Sequence, residues 1–419
     1  MNDIDSQRLA RRGFLASAGA AGLLIVNPQS VRGTQANSAV RIGVLGCGGR
    51  GTFVGTGFLR NTPSRVVALA DLFQDQLDAA VERFANAGSK VDASQIFRGP
   101  KAHQEIASSK EVDMILITSP PYFHPEHLES AVAGGKHVYV EKPVAVDVPG
   151  CKRVIAAGEK ADGKLSLDVG FQLRMAPPFI ELVRRLHAGA IGEIAFAEAH
   201  YFCPFLPGRA IGLASPAERR LRHWLHDRLL SGDILVEQNI HVIDICNWAL
   251  RDHPVKAVGG GGRKGRLDEG DAWSHFSLTF FYPNDVHVTF SSTQFGNKVS
   301  SDVCERFFGP RGKCQMPYTG PVNIEGEEPW TWRWPAPEPG QAASKPPGSN
   351  IATSDDEKQK AFIESIVGGK FHNQANQGVI SALSCIMGRT AAYTGKPVTW
   401  EETYRSREIF DPRINLERL

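Results

Sequence analysis

The chain has 419 residues, with 47 Lys or Arg against 45 Asp or Glu. Setting aside residues 1–39, where Arg8, Arg11, Arg12 and Arg32 face Asp3 and Asp5, leaves 43 basic and 43 acidic side chains, a balance that argues against nucleic acid or an anionic membrane as the main partner. The remaining length suits two domains of ~150 to 200 residues, and the seven cysteines (Cys47, Cys151, Cys203, Cys246, Cys304, Cys314, Cys385) form no C-x-x-C pair, which speaks for ordinary buried thiols and against metal ligation.

Residues 1–39 form a leader and linker. Arg11-Arg12-Gly13-Phe14-Leu15, followed by apolar Ala16 to Val26, looks like the twin-arginine signal that sends folded proteins across a bacterial membrane. The apolar stretch Phe14 to Val26 is 13 residues long, whereas a membrane-spanning helix needs ~20. The mature protein is therefore expected to be soluble and periplasmic or otherwise exported, with the twin-arginine export machinery as a partner. Neither Val31-Arg32-Gly33 nor Ala36 to Ala39 gives a clean cleavage site, so an uncleaved membrane anchor stays open.

From residue 40 to about residue 167, strand-like runs (Ile42 to Leu45, Val66 to Ala70, Met114 to Ile117, His137 to Val140, Leu165 to Val169) alternate with helical segments (Phe73 to Ala87, Lys101 to Ser108, Pro125 to Ala133). Crossover helices carry the chain back to restart in the same direction, so an α/β domain with a parallel sheet is predicted over residues 40–167. Residues 168–419 read differently. Helices are predicted at Pro178 to Ala188 and Ile234 to Leu250, and strands at Glu193 to Phe202, Lys256 to Gly260, Trp273 to Tyr282 and Val286 to Gln294. Tyr282-Pro283-Asn284-Asp285 makes the last two strands a hairpin. After a surface loop at Pro335 to Ser354, helices return at Asp355 to Val367 and Gly378 to Tyr393. The pattern is that of an α+β domain on an open, largely antiparallel sheet, whose last helices can pack back on the first domain.

Arg41 to Gly51 is a short strand running into G-x-G-x-x-G at Gly46, Gly48 and Gly51, answered by Asp71 at the end of the next strand. Glycines, with Gly49 among them, let the backbone approach a pyrophosphate. A helix N-terminus faces its charge, and Asp71 can accept from ribose hydroxyls. The acid favours NAD over NADP, while nearby Arg50 keeps NADP in play. Outside the cytoplasm there is no obvious pool of free nucleotide, so the cofactor is expected to be bound before export and held firmly.

Thr118-Ser119-Pro120-Pro121-Tyr122-Phe123-His124 follows a strand at the edge where ligands bind, and should border the nicotinamide half. His124 also reads as a cap of the next helix, and both readings stand. Glu141-Lys142-Pro143 ends the strand His137 to Val140. Proline biases Lys142 away from helical geometry, so its ammonium can extend from the cofactor edge toward the substrate end of the cleft. Glu237 and His241, four apart in a predicted helix, share a face, where a carboxylate can orient the imidazole. Such a pair alone is more often a helix-surface contact. Trp330, Trp332 and Trp334 alternate on one side of a strand, as sugar-stacking, core-filling or subunit-contact candidates.

These pieces in this order resemble the Gfo/Idh/MocA family of glucose-fructose oxidoreductases and inositol dehydrogenases. The likeness spans roughly residues 40–398 and rests on the Gly46 to Gly51 turn, Glu141-Lys142-Pro143, Gly170-Phe171-Gln172 and the late acid-x-x-x-His pair. It implies that Lys142 is the catalytic lysine, that His241 takes the hydroxyl proton, and that Gln172 and Arg174 join Lys142, Glu237 and His241 around the substrate. Glu237 stands where many members have aspartate, which leaves the fine geometry of substrate binding open, and Asn239 where a glycine is common. The implied activity is NAD(P)-dependent oxidation of a secondary hydroxyl of a sugar, glycoside or polyol by a homo-oligomer. The rival readings are a redox-neutral glycoside hydrolase, a sugar–sugar oxidoreductase and a non-catalytic sensor.

Overall fold

Ile115 and Leu116, neighbours that point to opposite faces of one strand, are both fully buried, as a strand between two helix layers requires. A computed structural model describes residues 39–208, 214–266, 270–296, 299–335 and 348–419, and residues 40–419 form one compact unit. The expected leader, Arg11 to Val26, and the expected cleavage positions up to residue 38 lie outside the described residues.

The first sheet holds β1 (Val40–Leu45), β2 (Ser64–Asp71), β3 (Ile96–Arg98), β4 (Met114–Ile117), β5 (His137–Val140) and β6 (Leu167–Val169). All pair in parallel, in the order β3-β2-β1-β4-β5-β6. Its helices are α1 (Gly49–Asn61), α2 (Gln74–Asn86), α3 (Ala102–Ser108), α4 (His124–Ala133) and α5 (Val148–Ala161). The chain leaves β1 toward β2 on one side and later returns to β4 on the other. The carboxyl ends of β1 and β4 therefore open the crevice in which such sheets bind ligands.

The helices α6 (Pro177–His187), α7 (Pro216–Arg222), α8 (Asp233–Glu237) and α9 (Ile240–Leu250) follow. The second sheet is built from β7 (Phe196–Cys203), β8 (Lys256–Gly262), β9 (His275–Phe281), β10 (His287–Gln294), β11 (Asp302–Gly309), β12 (Gly312–Pro317), β13 (Asn323–Gly326), β14 (Trp330–Thr331) and β15 (Val398–Thr399), in the order β14-β13-β12-β11-β7-β10-β9-β8-β15. Among the described residues only β7 and β10 pair in parallel in this sheet, so it is largely antiparallel, as the sequence predicts. Strands β11 to β13 escape a pattern reading, and of the strand expected at Trp330 to Trp334 only Trp330–Thr331 pairs. The inward alternation Val303-x-Glu305-x-Phe307 is broken by a glutamate that is itself fully buried, and burial pushes that carboxyl well above its ordinary value.

One expectation is corrected. The predicted helix Ile234 to Leu250 is two helices, because the N–H groups of both Gln238 and Asn239 turn back to the Ile234 carbonyl. Glu237 thus ends α8 and His241 opens α9, so the two do not share one helix face.

The last two long helices, α10 (Ser354–Val367) and α11 (Ala375–Thr394), return to the first sheet, and a short helix at Trp400–Arg405 follows them. Phe362 of α10 meets the rings of Phe58 and Tyr139 at 6.3 and 5.7 Å. Lys358 Nζ donates to Asp168 Oδ1 on β6 at 2.6 Å, with both side chains buried. Burial alone would raise the Asp168 carboxyl, but Lys358 and His372 hold it below its ordinary value. Breaking a buried pair strands the other charge. Lys358→Met is therefore expected to cost about 3 kcal/mol in chemical denaturation, and Lys358→Met with Asp168→Leu to recover most of it.

Candidate active site

The turn after β1 is built by contact. Gly46 has φ +95°, where only glycine is unstrained, and its N–H donates to the Ala70 carbonyl at 2.9 Å. A Cβ on Gly51 would lie 2.1 Å from the Gly46 carbonyl oxygen, so α1 starts directly against the strand. Gly48 caps α1 without a side-chain bond, and a Cβ there would meet nothing closer than 4.0 Å. This leaves an uncapped helix N-terminus in a cradle that a side chain would fill, and it fits the diphosphate of a dinucleotide. The Asp71 carboxylate accepts from the Cys47 N–H at 2.7 Å and the Phe73 N–H at 2.9 Å. Burial raises this carboxyl despite those donors.

A cavity of about 690 Å³ opens from this turn, within the usual range for ligand sites. Gly46, Gly48, Gly49, Asp71, Thr118, Ser119 and Pro120 line it. Thr118 Oγ1 donates to the Gly46 carbonyl at 2.6 Å, and Ser119 Oγ pairs with His127 Nδ1 at 2.8 Å.

Two residues expected at the cofactor have other partners. Both ring nitrogens of His124 lie 2.7 Å from carbonyl oxygens, those of Pro143 and Ser119, and burial pulls the imidazole down to about 4. His124 therefore ties the loop after β4 to the Lys142-Pro143 loop; it does not line the cavity and does not cap α4. Arg50 Nε donates to Glu141 Oε1 at 2.8 Å, and Nη2 to Asp355 Oδ1 at 2.9 Å. Burial disfavours this guanidinium, but the two carboxylates outweigh it and raise its pKa. Arg50 and Glu141 are thus paired with each other at the end of β5.

Beyond the cavity, one strand over from Thr118, Lys142 extends to the end of α8. Its Nζ donates to the Glu237 backbone carbonyl and, at 2.9 Å, to Glu237 Oε1. The break after α8 leaves that carbonyl available, so the irregularity that overturns the shared-face expectation also seats the ammonium. Glu237 orients Lys142 instead of His241. The His241 ring is buried and stands edge-on to Phe171 at 6.4 Å. Its Nδ1 has no partner. Burial, then the nearby charges of Lys142 and Arg50, hold the imidazole well below its ordinary 6.5. Burial thus favours the neutral imidazole.

Gln172 keeps an unpartnered buried Oε1. Arg174 does not stay with the group, because Asp244 takes its Nε at 2.8 Å and Nη2 at 2.9 Å and Trp248 lies under it at 5.4 Å. Trp330, Trp332 and Trp334 form an edge-on row at the far strand of the second sheet, with Arg185 over Trp330 at 4.7 Å. They do not line the cavity.

Sequence reading missed the opposite wall. Phe73, Asp75, Leu221, Arg222 and Trp224 line the cavity, the last three from α7 and the turn after it. The only local signal is the charge-dense run Glu218-Arg219-Arg220-Leu221-Arg222, which reads as a solvated face.

Two family profiles match the chain, "Oxidoreductase family, NAD-binding Rossmann fold" over residues 40–169 and "GFO/IDH/MocA C-terminal domain" over residues 179–315. Inositol 2-dehydrogenase 3 of Saccharopolyspora erythraea is 28% identical over 298 residues, covering 71% of this chain and 74% of that protein. Scyllo-inositol dehydrogenase from Lactobacillus casei with bound NAD(H) and scyllo-inositol superposes with TM-score 0.65 at 18% identity, over 87% of this chain and 99% of that one. Aldose-aldose oxidoreductase from Caulobacter crescentus complexed with glycerol gives 0.66 at 20%, over 86% and 99%. At these identities the two structures share the fold.

Proposed function

The chain belongs to the Gfo/Idh/MocA family of NAD-binding oxidoreductases, and on that premise we propose that it oxidises a secondary hydroxyl of a cyclic polyol or sugar. The observation that carries this reading is the seat of Lys142 on Glu237, at a strand end two places over from a cradle that fits a dinucleotide. When bound, nicotinamide supplies the hydride acceptor.

In this reading His241, held neutral, accepts the hydroxyl proton. Lys142 stabilises the alkoxide that develops, its ammonium fixed in direction by the Glu237 carbonyl and carboxylate. Gln172 Oε1 is free to accept from a further hydroxyl. Asp71, with Arg50 committed to carboxylates, supports NAD over NADP. The leader Arg11 to Val26 belongs to the same proposal, with export of the loaded protein. The open face of the second sheet, where Phe196 stacks on Phe308 at 4.4 Å, is assigned to a subunit contact.

A second reading, a closed cycle in which one sugar is oxidised and another reduced, is favoured by the leader, because an exported enzyme could not readily exchange its cofactor. Purified protein given inositols, aldoses and glycosides, with and without added NAD, separates these readings. NADH formation with a polyol supports the first. Sugar conversion without added NAD moves the assignment to the closed cycle, release of an aglycone moves it to a hydrolase, and none of the three refutes an enzymatic role.

The depressed His241 gives this reading a pH signature. A base with a lowered pKa stays deprotonated to lower pH, so kcat/KM is expected to hold steady as pH falls to 6.5 and to decline only well below it. An acid limb centred at or above 6.5 would remove His241 from the role.

A further inference from the structure

Helix α7 comes from the second half of the chain, yet it is fastened to the nucleotide edge of the first sheet. Arg222, its last residue, donates from Nη1 and Nη2 to the two oxygens of Asp75, at the start of α2, at 2.9 and 2.8 Å. The guanidinium lies over the Phe73 ring at 3.9 Å, and Glu218, one turn earlier in α7, accepts from its Nε at 2.8 Å. A fork matched to one carboxylate and stacked on an aromatic face is a geometry that lysine cannot reproduce.

Phe73 and Asp75 stand just past Asp71, the acid expected to face the ribose. Leu221 and Trp224 face the same cavity from the other wall. The Asp71 side of the cleft is thus closed by an element bolted across it, and the bolt is partly exposed, with Arg222 at 18% and Asp75 at 59%. Its Asp75 side faces solvent, so the pair can part with that carboxylate passing to water.

We propose that Arg222 is a latch that retains the cofactor: α7 covers the adenosine half of the dinucleotide, and the Arg222–Asp75 pair must part before the dinucleotide enters or leaves. The proposal rests on the dinucleotide reading of the cleft given above. Its consequence is kinetic. An oxidoreductase latched in this way would keep one nucleotide through many turnovers.

The test uses the full chain loaded with NADH and mixed with excess NAD, with release followed by the loss of energy transfer from tryptophan to NADH. Arg222→Ala, Arg222→Lys and Asp75→Ala are each expected to speed release roughly tenfold with an unchanged melting temperature. The reversed pair, Arg222→Asp with Asp75→Arg, should recover most of the slow release even if a single variant folds poorly. Release rates unchanged in the single variants overturn the latch. So does an effect confined to NADPH, which would assign Arg222 to a 2′-phosphate. Unmodified protein that binds neither nucleotide overturns the dinucleotide reading itself.

Discussion

Lys142→Met is expected to lower kcat by roughly 10³-fold or more while leaving NAD affinity within about twofold, because the lysine is proposed to act on the reacting oxygen. The side chain has two fixed partners, the Glu237 carbonyl and Oε1. Methionine fills similar space but supplies neither charge nor donor to a developing alkoxide. Lys142→Arg should not rescue turnover, since the longer, planar guanidinium spreads its charge and cannot place it where the compact ammonium stands. Single-turnover kinetics together with NAD titration check this. A variant that keeps kcat within tenfold removes Lys142 from the chemistry, and one that loses NAD binding as well makes it a cofactor contact.

Gly51→Ala is expected to cost both stability and cofactor, because its Cβ would lie 2.1 Å from the Gly46 carbonyl and 2.6 Å from Thr118 Oγ1. Backbone must move, so the turn opens, the Thr118 tie to Gly46 is lost, and NAD affinity falls by roughly 10²-fold with about 2 kcal/mol of stability. Gly48→Ala is the informative contrast. A Cβ there meets nothing closer than 4.0 Å, so the fold should hold while the methyl intrudes on the diphosphate cradle. Equal melting temperatures with weakened NAD binding in Gly48→Ala, against losses in both for Gly51→Ala, would separate the cradle from its foundation. Full NAD affinity in Gly48→Ala would contradict the cradle.

What could be read from the sequence follows from how local its causes are. Strands β1, β4 and β5 are buried on both faces and write themselves as apolar runs such as Met114 to Ile117. The glycine turn is legible because its constraint lies within a few residues of backbone. Lys142 stands out because a strand end and a proline fix its direction. The break after Glu237 leaves no such mark. Gln238 and Asn239 are compatible with helix, and only the tertiary environment bends their N–H groups back to Ile234. Arg50, Arg174 and His124 look free in the sequence, because the groups that satisfy them, Asp355, Asp244 and the Pro143 carbonyl among them, come from distant segments. Arg222 was invisible for the same reason, since Phe73 and Asp75 reach it only through the fold. Polar residues with a distant partner are where pattern reasoning fails, and here they surround the site.

The central claim is that a nicotinamide nucleotide lies along the Gly46 to Gly51 turn and presents its reactive ring to Lys142 and His241. A crystal structure of the protein with NADH and an inositol tests it most directly. The account predicts the diphosphate at the N-terminus of α1, and a hydroxyl of the polyol within hydrogen-bond reach of both Lys142 Nζ and the His241 ring, with the carbon that bears it facing the nicotinamide. A nucleotide bound away from the glycine turn, or a polyol seated out of reach of Lys142, would contradict it.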